Sequence, residues 1–206
     1  MTKSQAPTII AVSTAIIALL LVASTAFAAG NGNGNKLSCF DGASDPDIYG
    51  GTCTVTPGGT ATLNNSGGDP DGEYSGVYLQ NSNMDGKLLS NIGLLGFTYT
   101  GVATAGAPRL TFPLDKNGDG TAEVYASIGA YYCNDGAGLV DVINDPTCTI
   151  FLNDNSAGPW DNWAAMVAAN PTWRVATDLP FIIADEAGTW TVSNVMLGKG
   201  PAKGAK

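Results

Sequence analysis

Between residues 112 and 125 two strand-like runs flank a loop with Asp115, Asn117 and Asp119 at alternate positions and Gly120 directly after them. Calcium, a hard cation, asks for this pattern, because a short loop turned at glycine aims alternate side-chain oxygens at one point. In that reading Thr121 adds its backbone carbonyl and Glu123 a carboxylate, so the metal set is Asp115, Asn117, Asp119, Thr121 and Glu123. A complete loop would close with a bidentate glutamate where this chain has Ala126, and an open shell implies weak binding, on the order of 10⁻⁴–10⁻³ M. The competing reading is a metal-free turn, since Asn117-Gly118 and Asp119-Gly120 are ordinary hairpin dipeptides. The loop holds more turn residues than a minimal hairpin needs, which favours the cation. The acidic turn at Asp69, Asp71 and Glu73 is a further source of oxygens, or simply a solvated loop.

Other chemistry is narrower. The chain has no histidine, which removes Ser/His/Asp and Cys/His nucleophiles, histidine-ligated zinc and the commonest general base. Carboxylate catalysis, as in glycosidases, needs two acids at a set separation, and the candidates Glu73, Glu123, Asp185 and Glu186 are not brought together by spacing. Flat aromatic side chains can stack on saccharide rings while amides and carboxylates bond the hydroxyls. Tyr78, Tyr131 and Trp173 are the candidates for such a platform. Tyr78 and Tyr131 are out of phase with their apolar neighbours and should face solvent, whereas Trp190 shares a phase with Val192 and reads as core.

The elements that position these residues follow a period of two. Leu95, Phe97 and Tyr99 alternate with small or polar residues, as do Leu110, Phe112 and Leu114, and the run Val124, Ala126, Ile128, Ala130, Tyr132 continues after the loop. Further strands are expected at 52–56, 60–64, 74–80, 139–143, 147–152, 173–176, 179–184 and 188–197, divided by Gly-, Asp- and Pro-rich turns. One short helix is expected, with Gly158 as cap, Pro159 in the first turn and Trp160, Trp163, Ala164 and Val167 inward, ending at Asn170-Pro171. The expected fold is all-β: a two-sheet antiparallel β-sandwich, jelly-roll-like, with that one helix.

Residues 1–28 read as a secretory signal peptide: Lys3, an uncharged run, and a small-x-small site ending at Ala28. An uncleaved anchor is the alternative, and the serines and threonines within the run favour cleavage. Residues 29–36 form a Gly/Asn linker, 37–197 the β-sandwich domain, and 198–206 a disordered basic tail. Four cysteines in an exported chain imply two disulfides with three possible connectivities, of which Cys39 with Cys53 and Cys133 with Cys148 are the local choices. With 9 basic against 18 acidic residues the formal net charge is −9. Such a chain repels phosphate backbones, so no nucleic acid is expected as partner, nor membrane association once the signal is cleaved.

The loop resembles the Asp/Asn-rich calcium loops of EF-hand-like and dockerin modules over about a dozen residues, and the chain is similar in outline to small secreted carbohydrate-binding-type β-sandwich modules. That resemblance implies a secreted or cell-surface, non-catalytic, calcium-binding domain for extracellular binding or adhesion, with glycan as the preferred ligand. The alternatives are a structural subunit of a surface layer or extracellular filament, joined to neighbouring protomers by strand addition through residues 30–40, and a carboxylate-dependent glycan hydrolase.

Overall fold

The computed structural model describes residues 36–41, 51–66, 73–80, 83–133, 138–154 and 158–199, without the side chains of Asp41 and Lys199. The signal peptide, nearly all of the linker and tail, and Asp69 and Asp71 lie outside them.

Apolar residues at every second position can share a core only if their strands form sheets with one face turned inward. Two such sheets form here. In one the order is β1 (Lys36–Asp41), β4 (Ser75–Gln80), β11 (Phe181–Ala184), β6 (Arg109–Asp115), β7 (Val124–Gly129) and β9 (Phe151–Leu152), with β10 (Arg174–Val175) also pairing β6. In the other it is β2 (Thr52–Thr56), β3 (Thr60–Asn65), β12 (Gly188–Lys199), β5 (Ile92–Thr100) and β8 (Leu139–Asp141). All pairs are antiparallel. The fold is an all-β, two-sheet sandwich.

The core lies between the sheets. Phe112, Leu110 and Val77 enter it from one side and Phe97, Leu63 and Trp190 from the other, all essentially inaccessible. Each large side chain so buried contributes about 1.5–3 kcal/mol. The indole of Trp190 stays satisfied there by donating to the Val102 carbonyl at 2.8 Å. Two disulfides, Cys39–Cys53 and Cys133–Cys148, take the local connectivity, and the first ties β1 in one sheet to β2 in the other.

Local structure departs from the sequence expectation in three places. The helix, α1, spans Trp163–Ala169 and is capped by Asn162, whose side chain accepts from the Ala165 amide, not by Gly158. Trp160 cannot belong to it, because its backbone exchanges two hydrogen bonds with Ile150. Asparagine is also a stronger cap than glycine. Trp163 and Met166 form the buried stripe, Trp163 edge-on to Phe112, while Ala164 is exposed. The strand after the loop ends at Gly129, and Ala130–Tyr132 winds into a 3₁₀ turn although the alternation runs on. Finally, the segments expected at 147–152 and 173–176 keep ladder pairing only over β9 and β10.

Candidate metal centre

The loop is the connection of the β6–β7 hairpin, which is in register through Leu114↔Val124 and closed by the Glu123 amide donating to the Leu114 carbonyl. Asp115 ends β6 on the side turned away from the core, yet its side chain is only 1% exposed, because the loop folds back over it. Its Oδ1 accepts from the amides of Asn117 and Gly118, and its Oδ2 from that of Gly120. The same motif repeats twice: Asn117 Oδ1 accepts from the Asp119 amide and Asp119 Oδ1 from the Thr121 amide, each at 2.8 Å. This winding needs positive φ at Gly118 (88°) and Gly120 (91°), which glycine adopts without strain.

One carboxylate oxygen from each of Asp115, Asp119 and Glu123 lies within 4.8 Å of the other two, so this acidic triad can hold a metal ion. Asn117 shares the space: its Nδ2 donates to Asp119 Oδ2 at 3.1 Å and to Glu123 Oε1 at 2.6 Å, a positive dipole end set between two carboxylates. Glu123 Oε2 accepts from the Lys116 amide. The Lys116 ammonium turns away from the triad, to Asp154 at 3.3 Å and over the ring of Trp173. Hydrogen bonds from the Thr121 amide and then the Asn117 side chain pull the Asp119 carboxyl below its usual range, so it stays ionised and ready for a cation.

Four of the five expected metal residues thus meet through their side chains, while Thr121 enters the network by its amide. Ala126 is fully buried in the core and supplies nothing. Glu73, from the second acidic turn, is engaged by the amide and hydroxyl of Ser66. A cleft of about 760 Å³ opens beside the loop, walled by Asp115–Gly120 on one side and by Leu88, Pro171 and Arg174 on the other.

The three aromatic candidates are not joined into one platform. Tyr131 is 58% exposed and packs edge-on against Tyr132, while Trp173 is half-buried against the core beneath Lys116. Tyr78, 36% exposed, has other neighbours: Phe40 at 4.5 Å and Phe181 at 6.1 Å between ring centroids, with Tyr125 extending the cluster at 6.5 Å from Phe181. The Tyr125 hydroxyl donates to Asp178, and burial, then the Asp178 charge, pushes its ionisation up, so it remains a donor. Phe40, Phe181 and Tyr125 lie outside the candidates that the sequence offers. Their signal was present, since each sits out of phase with the buried residues of its strand. Of the acids weighed for catalysis, Asp185 is paired with Arg109 at 2.7 Å and Glu186 accepts from the Gly106 amide.

Comparison with protein-family models, with curated proteins and with solved structures finds no match. Among the described residues no helix is long and apolar enough to cross a membrane. Two disulfides and no free cysteine fit an oxidising compartment. Fold and site together define a disulfide-linked β-sandwich with an acidic hairpin loop able to take a metal ion.

Proposed function

We propose that this is a secreted or cell-surface, non-catalytic domain that binds calcium at the β6–β7 loop and serves extracellular binding or adhesion, with glycan as its ligand class. The observation that carries it is the approach of Asp115, Asp119 and Glu123 within 4.8 Å on a loop already wound by its own amides. Oxygen donors alone, on a flexible turn, suit calcium better than a transition metal. The missing closing ligand leaves coordination positions to water and sets the affinity in the weak range of extracellular modules, on the order of 10⁻⁴–10⁻³ M.

Terbium titration tests this, because Trp173 and Tyr125 are placed to sensitise a lanthanide in the loop. Terbium luminescence should rise on binding, fall as calcium competes, and vanish in Asp119→Ala. No luminescence, or luminescence indifferent to calcium, removes calcium from the account. The filament reading is the weaker one: the proposed donor segment, β1, is already paired along its length with β4 and tied by Cys39–Cys53.

A further inference from the structure

We infer that the outer face of the seven-stranded sheet, along Phe40, Tyr78, Phe181 and Tyr125, is a docking surface for a neutral glycan chain, and that the metal loop holds one end of that surface in place. The inference deepens the function proposed above and rests on its calcium part for the coupling alone.

Register places the rings. Tyr78 lies opposite Phe181, and Phe181 opposite Thr111, so these three side chains line up across three adjacent strands on the side away from the core. Phe40 joins from β1, in contact with both Tyr78 and Phe181, and Tyr125 from β7. The rings cover what lies beneath them: Thr111, pointing outward, is still only 5% exposed. Its buried hydroxyl has no hydrogen-bond partner, so the face holds unfilled polar capacity under an apolar surface.

Charge selects the occupant. In a chain of net charge −9, the outward residues between the rings, Ser38, Gly76, Thr111 and Pro113, are all uncharged. Arg109, on the same face, is neutralised by Asp185 at 2.7 Å. A polyanion or a second copy of this chain would be repelled by the rest of the molecule. A neutral saccharide chain brings no charge, lays apolar C–H faces on the rings and offers hydroxyls to the Tyr125–Asp178 pair and to Gln80, which donates to Ser38.

The coupling is a short path of bonds. Gly120, in the loop, accepts at its carbonyl from both the amide (2.9 Å) and the hydroxyl (3.0 Å) of Thr177. The next residue, Asp178, accepts from Tyr125, which itself follows Glu123 by two positions. Ordering the loop around an ion therefore fixes Tyr125 from its own strand and Asp178 from the facing segment.

Isothermal titration of the protein in calcium, with neutral hexasaccharides of glucose and of N-acetylglucosamine as probes and polygalacturonate as the charged control, tests the site. Binding of a neutral probe is expected, weakened about tenfold or more by Tyr78→Ala, the scale of losing one anchoring aromatic. Tyr125→Phe, which keeps the ring and the packing, should weaken it several-fold by removing the hydroxyl. Chelator should weaken it to a similar degree in the wild type and not further in Tyr125→Phe. The docking surface is overturned if no neutral probe binds, if polygalacturonate binds better, or if affinity survives both substitutions. A concentration-dependent dimer abolished by Tyr78→Ala would overturn it in favour of self-association. Neutral binding that needs Tyr78 but ignores chelator overturns the coupling. If terbium fails to bind as well, the calcium reading falls while the glycan face stands.

Discussion

Calcium should raise the melting temperature by a calculable and modest amount. An ion that binds only the folded state stabilises it by RT ln(1 + [L]/Kd), so at about 10 mM calcium a Kd of 10⁻⁴–10⁻³ M gives roughly 1.4–2.7 kcal/mol. For a domain of this size that is a shift of about 3–10 °C. Differential scanning calorimetry in calcium and in chelator reads it directly. Two substitutions divide the loop's own architecture from the ion's share. Asp119 is exposed and its hydrogen bonds lie at the surface, so Asp119→Ala should erase the calcium shift and lower the melting point in chelator only slightly. Asp115 accepts three amide hydrogen bonds from an almost fully buried position. Asp115→Ala should therefore lower stability by about 2–4 kcal/mol with or without the ion, the amides of exposed Asn117 and Gly118 being partly rescued by water. The reasoning fails if calcium leaves the wild-type transition unmoved, or if Asp119→Ala keeps the full shift.

Three further outcomes follow from the fold. Replacing Cys39 and Cys53 together by serine should cost about 3 kcal/mol, read as a lower urea midpoint, because the cross-link closes the chain between two different sheets. Gly188→Ala should cost about 1–3 kcal/mol, since a Cβ at its φ of 153° would stand 2.5 Å from the ring of the buried Trp190, and the tryptophan fluorescence should shift with it. The pH dependence carries two opposite signs. Burial raises the Asp185 carboxyl above its ordinary 3.8, against the pull of Arg109, so its contribution is present below 3.8 and lost as pH rises through the folded-state value. Asp119 is shifted down, so its contribution is present above 3.8 and lost as pH falls through its folded-state value. Denaturant midpoints measured in chelator across this range should show the fall above 3.8 shrink in Asp185→Asn and a small part of the loss below it disappear in Asp119→Asn.

Alternation in the sequence reveals the sheets because it reports one thing well, the face a strand turns to the core. Leu110, Phe112 and Leu114 could be read that way, as could Trp190 with Val192, and all are buried. It cannot report what covers the other face. Thr111 and Pro113 are as hidden as their neighbours because rings from adjacent strands lie over them, and which strands are adjacent depends on a sheet order that no local pattern encodes. The false start of the helix has the same origin: Trp160 has the right spacing, but a backbone partner at Ile150, ten residues earlier, outcompetes the first helical turn. The loop was legible because its geometry is local, the oxygens of Asp115, Asn117 and Asp119 accepting from amides two to five residues on.

This locality also bears on what the ion can do. Asp115 and the glycines wind the loop with protein hydrogen bonds, and the core and the disulfides lie elsewhere, so the sandwich should fold with or without a cation. What the amides leave unsolved is the mutual repulsion of three carboxylates within 4.8 Å, met so far only by the Asn117 amide. A bound cation removes that strain at Glu123 and Asp119, the two ends of the segment that leads into Tyr125 on one side and into the Gly120–Thr177 contact on the other. Its effect should thus be small on global unfolding and larger on the order of the Tyr125–Asp178 pair. Amide hydrogen exchange should show calcium protecting residues 116–125 and 176–178 against local opening, while β3 and β12, in the opposite sheet, slow only by the roughly ten- to hundredfold that the gain in global stability requires. Equal slowing in both sheets, with no added protection of the loop and residues 176–178, would mean that the ion acts only through global stability and that the loop has no privileged connection to the aromatic face.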